Sequence, residues 1–389
     1  MLHNRYLQMG GEDGCFQMEI DLLRRYGCEV IAFEENNERV SEIGALRTAI
    51  RSAWSLESYR TVRQILREKR FDILHVQNFF PLLSPSVYYA ARAEGVPVVQ
   101  TLHNYRLMCP VGTFSRNGRA CEDCMHQVFP WSSIVHKCYR DSAVGSAAVG
   151  MMTKVNSVMG TWRTKVDAYI ALTEFMRQKF REGGFPEKKL YVKPNFLDPD
   201  PGIGACDGGF ALFAGRLVPE KGISTLLRAW EHLDGKMTLK IAGVGPMEPE
   251  VREAASRLRS IEYIGLQPNT EVLRLMGSAS LFLLPTEQYE GHPRSTVEAF
   301  ARGLPVVASR LGSLVEMIED GESGILFNPG DAQDLATKIS RVLSHPERLA
   351  QIGSAGRRQF EAKYSAEQNY RMLMDIYRSA SNSRRGIVE

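Results

Sequence analysis

Residues Glu290 to Pro305 read EGHPRSTVEAFARGLP, with two carboxylates, Glu290 and Glu298, eight positions apart. Gly291 and Pro293 open the run, which becomes apolar-periodic over Val297 to Ala301 before Gly303 and Pro305. That order predicts a loop turning into a short helix, with Glu290 in the loop and Glu298 in the helix body. Immediately upstream, Leu281 to Leu284 is wholly apolar and reads as a buried strand. The loop therefore sits at a strand's C-terminal end, where open α/β sheets place their ligands. Glu290 could accept hydroxyls of a sugar there and Glu298 those of a ribose. The alternative is a pair of solvated surface carboxylates.

Working outward, Gly209 to Trp230 reads GFALFAGRLVPEKGISTLLRAW. An apolar strand, Phe210 to Ala214, feeds Gly215 and Arg216, then Lys221 and Gly222, then an amphipathic segment, Ile223 to Trp230. A guanidinium and an ammonium in one βα connection beside glycine suit a diphosphate, since one is bidentate and the other a point charge. An ordinary solvated βα loop is the other reading. Further on, the strand Leu239 to Ala242 ends in Gly243, Val244 and Gly245, a glycine turn that lets backbone approach a ligand. This half of the chain thus offers one place for a diphosphate and one for hydroxyls.

The GRLxxEKG run at Gly215 to Gly222, and the E-x7-E spacing of Glu290 and Glu298 followed by ARGLPVVAS, resemble the retaining GT-B glycosyltransferases of family 4. The resemblance runs from HNRY near the start to the last helix. It implies two Rossmann-like doubly wound α/β domains facing across a cleft, with a C-terminal helix crossing back to the first. It also implies transfer of a sugar from a nucleotide-diphosphate sugar to a saccharide or lipid-linked acceptor in polysaccharide or glycolipid synthesis. By the same resemblance Arg216 and Lys221 assist the leaving diphosphate, Glu298 binds ribose, and Glu290 binds sugar hydroxyls. His103 contacts the transferred sugar or the acceptor, and Gly10 and Gly11 match the family's glycine turn. Backbone near Leu266 and Gln267 holds the base. Gly291 is followed by a departure: the family has a bulky apolar or aromatic residue near the position of His292 and aliphatic residues after it, whereas this chain has His292, Pro293 and Arg294, and Arg294 as a counter-charge for an anionic sugar is an alternative reading.

A length of 389 residues suits two domains. Hydrophobic residues at 44% and charged residues at 24% are globular values, and a net charge of +3 is too weak to argue for nucleic acid. It is compatible with an anionic acceptor or a membrane surface. The start, MLHNRYLQMGGEDG, has no apolar h-region, and no run reaches spanning length, so a cytoplasmic protein is expected, with peripheral contact to the inner face of a membrane left open.

In the first half, Gly10-Gly11 leads into a helix, Phe16 to Tyr26, and then a strand, Val30 to Phe33. That is a doubly wound beginning without the GxGxxG dinucleotide fingerprint. A helix over Ala49 to Lys69, a strand Ile73 to Val76, a helix Pro85 to Ala93 and a strand Val98 to Leu102 follow, with His75 read as structural and His103 at the last strand's end. The insert carries Cys109, Cys121, Cys124 and Cys138. Its Cys121-x2-Cys124 step could bring two thiolates to one tetrahedral zinc, the other two completing a structural site. Iron–sulfur and reduced thiols are the alternatives, with His126 and His136 as further ligands. Asp141 to Val158, with basic residues beyond it, reads as an interfacial helix or as a solvated face over a core helix. The domains are expected at 1–193, with the cysteine-rich insert at 105–140, and at 210–360. A linker at 194–209 joins them, and a crossover helix with a frayed tail occupies 361–389. No Asp-x-Asp motif accompanies the diphosphate loop, so no metal cofactor is expected for catalysis. Another nucleotide-sugar enzyme of this fold, or a non-catalytic scaffold in a polysaccharide assembly complex, are the competing functions.

Overall fold

The computed structural model describes residues 1–7 and 10–385. The chain forms two compact units. Unit 1 comprises Met1–Phe114, Glu122–Pro194 and the chain from Asn369 on; unit 2 comprises Ser115–Cys121 and Asn195–Gln368. In chain order the strands are β1 (Leu2–Arg5), β2 (Phe33–Asn36), β3 (Leu74–Val76) and β4 (Val98–Leu102). A hairpin of β5 (Ser115–Arg116) and β6 (Arg119–Ala120) comes next, then β7 (Ala168–Ala171) and β8 (Leu190–Val192). Unit 2 continues with β9 (Phe210–Ala214), β10 (Thr238–Ala242), β11 (Ile261–Gly265), β12 (Leu281–Leu284), β13 (Val306–Ser309) and β14 (Gly324–Phe327).

Unit 1 is built on a parallel sheet of order β2-β1-β3-β4-β7-β8, and unit 2 on one of order β11-β10-β9-β12-β13-β14. Each is a doubly wound, Rossmann-like sheet. The central strands are buried along their whole length, VVQTL in β4 and LFLL in β12, because helices cover both faces. Trp230, Phe213, Leu226, Leu283 and Ile339 are among the side chains filling the core of unit 2. The core of unit 1 gathers Leu23, Val99 and Ile170 with Leu373, Ile376 and Ala380. The last three belong to the helix Ala366–Arg385, which therefore crosses back to complete the first unit.

Several elements differ from expectation. The helix anticipated over Ala49 to Lys69 is two helices, Ala45–Ala53 and Leu56–Glu68. Trp54 is extended, and the Ser55 hydroxyl accepts the Ser58 N–H to cap the second helix. The second strand lies at Phe33–Asn36, displaced from Val30 to Phe33, because its register is set by Leu2 opposite Phe33 at the sheet edge. The Pro- and Gly-rich segment after Pro194 is fastened to unit 2: Gly204 N–H donates to Arg302 O (2.8 Å) and Gly208 N–H to Ser278 O (2.7 Å). Helix continues through Arg385 where a frayed tail was anticipated; the rest of that tail, residues 386–389, lies outside the described residues.

The four-sulfur zinc site does not assemble. Among the described residues no group of three or more His, Cys, Asp or Glu side chains could hold a metal ion. The turns that carry Cys109 and Cys138 are held by main-chain hydrogen bonds instead, Cys109 N–H to Tyr105 O (2.8 Å) and Cys138 N–H to Ser133 O (2.9 Å). Tyr105 stacks with Phe180 and meets Phe114 at a tilt. Cys121 closes the hairpin segment that belongs to unit 2, whereas Cys109, Cys124 and Cys138 belong to unit 1.

Candidate functional site

In unit 2 three βα loops lie side by side at the C-terminal ends of β9, β10 and β11. Gly215 N–H donates to Ala242 O (3.0 Å), Leu217 N–H to Val244 O (3.0 Å) and Gly243 N–H to Gly265 O (2.8 Å). Glycine is required for that approach. A Cβ at Gly243, whose φ is +144°, would stand 1.8 Å from Gly215 O. Arg216 is exposed on this surface, and Leu266 on the loop after β11 is 71% exposed.

A single 3-10 turn, Pro219–Lys221, then passes through Gly222 in the left-handed region (φ +71°) into the helix Ile223–Leu233. A Cβ on Gly222 would sit 1.8 Å from Pro285 O, so this glycine lets the β9 loop press against the β12 loop. The result is an ion pair, Lys221 Nζ to Glu290 Oε1 at 2.7 Å, between residues 69 apart in sequence. β9 and β12 flank the point where the strand order reverses, the crevice in which open α/β sheets bind ligands.

Glu290 is held from several directions. The Thr286 hydroxyl donates to Oε1 (2.9 Å), and the Ser313 hydroxyl donates to the Glu290 carbonyl (2.5 Å). Burial by itself would raise the carboxyl pKa, but the Lys221 charge and hydrogen bonds from Lys221, Thr286 and Gln288 hold it below the usual carboxylate range. The neighbouring Glu287 accepts from the Thr225 hydroxyl (2.7 Å). After Gly291 and Pro293 the helix Arg294–Ala301 begins, and Arg294 Nη2 donates to Glu298 Oε1 (2.9 Å) one turn on. Glu298 is only 5% exposed. His292 is turned into packing: its ring meets Tyr364 edge-on at 5.3 Å, and its carbonyl accepts from Asn195 Nδ2 (3.0 Å).

In unit 1, β1 and β3 are neighbours at the corresponding reversal of strand order. Gly10 precedes the helix Gly11–Arg25, and its N–H donates to Asp13 Oδ2 (2.8 Å), while Asp13 Oδ1 meets His3 Nε2 at 2.9 Å. His103, just past β4, has Nε2 at 2.5 Å from Gln77 Oε1. Gln77 Nε2 donates to Glu19 Oε2 (2.7 Å), which orients the amide oxygen toward His103 and assigns the ring proton to Nε2. Burial lowers the His103 pKa, so the ring is neutral at pH 7. Behind it, Lys193 Nζ stands 3.5 Å from Glu19 Oε1 and 3.0 Å from Asn369 Oδ1. His75 contacts Tyr377 OH (2.7 Å) and Thr101 Oγ1 (2.8 Å).

The structure thus joins Lys221 to Glu290 and Gly215 to Gly243, pairs Glu298 with Arg294, and leaves Arg216 and Leu266 facing solvent. Thr286, Ser313, Gln77 and Glu19 were not anticipated. Glu19 alone left a trace in sequence, as a carboxylate on the helix face carried by Phe16, Ile20 and Leu23.

Residues 20–201 match the family model described as glycosyltransferase family 4, and residues 206–359 match that of glycosyl transferases group 1. The crystal structure of Anabaena Alr3699/HepE in complex with UDP superposes on 97% of this chain and 99% of that one, with a TM-score of 0.69 at 18% identity. The fold is GT-B. The chain carries the two sequence domains of a GT-B glycosyltransferase. A sulfoquinovosyl transferase, SQD2 of Arabidopsis thaliana, is 26% identical over 381 residues, 92% of this chain and 68% of the plant protein. An MMP alpha-(1->4)-mannosyltransferase of Mycolicibacterium hassiacum is 30% identical over 203 residues, 50% of this chain. The chain spans 49% of that mannosyltransferase, about half its length.

Proposed function

We propose that this GT-B chain is a retaining glycosyltransferase. It moves a sugar from a nucleotide-diphosphate sugar to a saccharide or lipid-linked acceptor in polysaccharide or glycolipid synthesis. The observation that carries the reading is the Lys221–Glu290 pair at the strand-order reversal, a cation and a hydroxyl acceptor 2.7 Å apart. Arg216 and Lys221 take the diphosphate, Glu290 the sugar hydroxyls and Glu298 the ribose. Gly215, Gly243, Gly291, His292 and the backbone at Leu266 line the donor's path. Gly10, Gly11 and His103 are assigned to phosphate, sugar or acceptor.

In this reading the bond between the anomeric carbon and the phosphate oxygen breaks while the acceptor oxygen bonds to the same face. The acceptor's hydroxyl proton passes to the departing phosphate oxygen. Arg216 and Lys221 stabilise the charge that builds on the diphosphate, the largest contribution such a site makes. Glu290 holds the sugar so that the two oxygens stand in reacting geometry.

Calorimetric binding of UDP, GDP and ADP tests the donor site, UDP first because HepE binds it. We expect one of the three to bind the wild type. Loss of a charge-assisted contact in Arg216→Ala or Lys221→Ala should then weaken it about 10- to 100-fold. Binding of none of the three would remove the donor site and favour the scaffold reading.

A further inference from the structure

Large apolar side chains are exposed on three helices of unit 1, two of which pack on the third. Helix Ala143–Val158 touches both Trp131–Val135 and Ala45–Ala53. On the first, Val144, Met151, Val155 and Val158 are all exposed, Val144 at 81%. At the helical pitch these four fall within roughly 60° of one another around the axis. The opposite side, Ser146, Val149, Thr153 and Asn156, is buried. Gly150 packs so closely that an added Cβ would lie 2.8 Å from Pro130, which leads into the second helix. That second helix exposes Trp131 at 64% and Val135 at 73%, and the third exposes Leu46 and Ile50 one turn apart.

Eight exposed large apolar side chains on three neighbouring helices are not ordinary surface. The chain around two of these helices is cationic: residues 128–165 contain Lys137, Arg140, Lys154, Arg163 and Lys165 against a single acid, Asp141, while the third helix carries Arg47 and Arg51 between Glu42 and Glu57. Lys137, Arg140 and Arg163 are exposed. None of the described helices is long and apolar enough to cross a membrane. Aliphatic and indole side chains flanked by lysine and arginine, on helices too short to span, fit the plane of an anionic bilayer.

We propose that the faces of helices Ala45–Ala53, Trp131–Val135 and Ala143–Val158 dock unit 1 onto an anionic lipid surface. Valine, methionine and tryptophan enter the interface, and the lysines and arginines meet the headgroups. Cationic complementarity selects the bilayer over a second copy of the chain, since two copies would bring like charges together. The inference deepens the proposed function, on which its choice of a membrane-resident acceptor rests.

The full chain is sedimented with vesicles of phosphatidylcholine alone and of phosphatidylcholine with phosphatidylglycerol. We expect binding to the anionic vesicles that falls with added salt. The variant Met151→Gln/Val155→Gln/Val158→Gln should bind them about tenfold or more weakly, with circular dichroism and nucleoside diphosphate binding as in the wild type. A second variant, Lys137→Glu/Arg140→Glu/Lys154→Glu, leaves the apolar face intact and should weaken binding and flatten its salt dependence. Wild-type protein that ignores anionic vesicles, or variants that bind as the wild type does, would overturn the inference. So would a dimer in sedimentation velocity, without vesicles, that the apolar variant dissolves. Nucleotide binding is read in separate calorimetry, so loss of the donor reading and loss of the docking surface are told apart.

Discussion

Glu290 is a carboxylate whose neighbours, rather than its own chemistry, define its role. Lys221, Thr286 and Gln288 keep it ionised despite burial. The sign of its pH effect follows. A carboxyl held below its unfolded pKa contributes stability that is present above the unfolded value and is lost as pH falls through the lowered folded value. The difference in unfolding free energy between wild type and Glu290→Gln should therefore be constant near neutrality and shrink only in acid below the ordinary carboxylate range. In the transfer reaction Glu290→Gln should lower kcat by about a hundredfold, with nucleoside diphosphate binding close to wild type. Equal losses in both would reassign Glu290 from the sugar to the phosphates. Lys221 and Glu290 were legible from residue type beside glycine at predicted strand ends. Thr286 and Ser313 were not, because a hydroxyl near a loop carries no spacing signal until the partner is in place.

At the scale of elements, the glycine loops are decided by close approach of backbones. Gly222→Ala combines a φ of +71° with a Cβ 1.8 Å from Pro285 O, so the β9 and β12 loops must move apart. We expect a loss of about 2 kcal/mol or more, read as a lower unfolding midpoint together with weaker nucleotide binding. Gly235→Ala shares the positive φ, +75°, but meets nothing within 4 Å, and should cost only about 1 kcal/mol. If the two variants behave alike, contact between the loops is not what Gly222 provides. Strands β9 and β12 matched their sequence readings because a strand buried on both faces is an unbroken apolar run. The edge strand β2, FEEN, has no such run, and its position followed from pairing with β1 alone.

For the whole molecule, the helix Ala366–Arg385 is tied into unit 1 by buried polar contacts. His75 meets Tyr377, 302 residues later, at 2.7 Å. Burial, opposed by Glu19, lowers the His75 pKa to about 4. The unfolded chain therefore binds a proton that the folded one refuses between about pH 6.5 and pH 4, so stability is lost as pH falls through that window. The loss expected from pH 7 to pH 5 is about 2 kcal/mol, measured as the shift in urea unfolding. His75→Gln should be less stable at pH 7 yet lose this part of the slope. An unchanged slope would show that another group titrates.

Residue order alone indicated two rounds of alternating strand and helix, the glycine-bearing loops at strand ends, and the closing helix. Each is encoded locally, in apolar runs, helical periodicity and glycine at strand ends. Tertiary structure decided which residues meet. It set Lys221 against Glu290, ran a buried chain from His103 through Gln77 and Glu19 to Lys193, and held the insert's turns without a four-sulfur site. It also left an apolar face uncovered on helices whose opposite faces are core. The Lys221–Glu290 pair and the run from His103 to Lys193 join residues tens of positions or more apart, and periodicity along a chain carries no information about such distances.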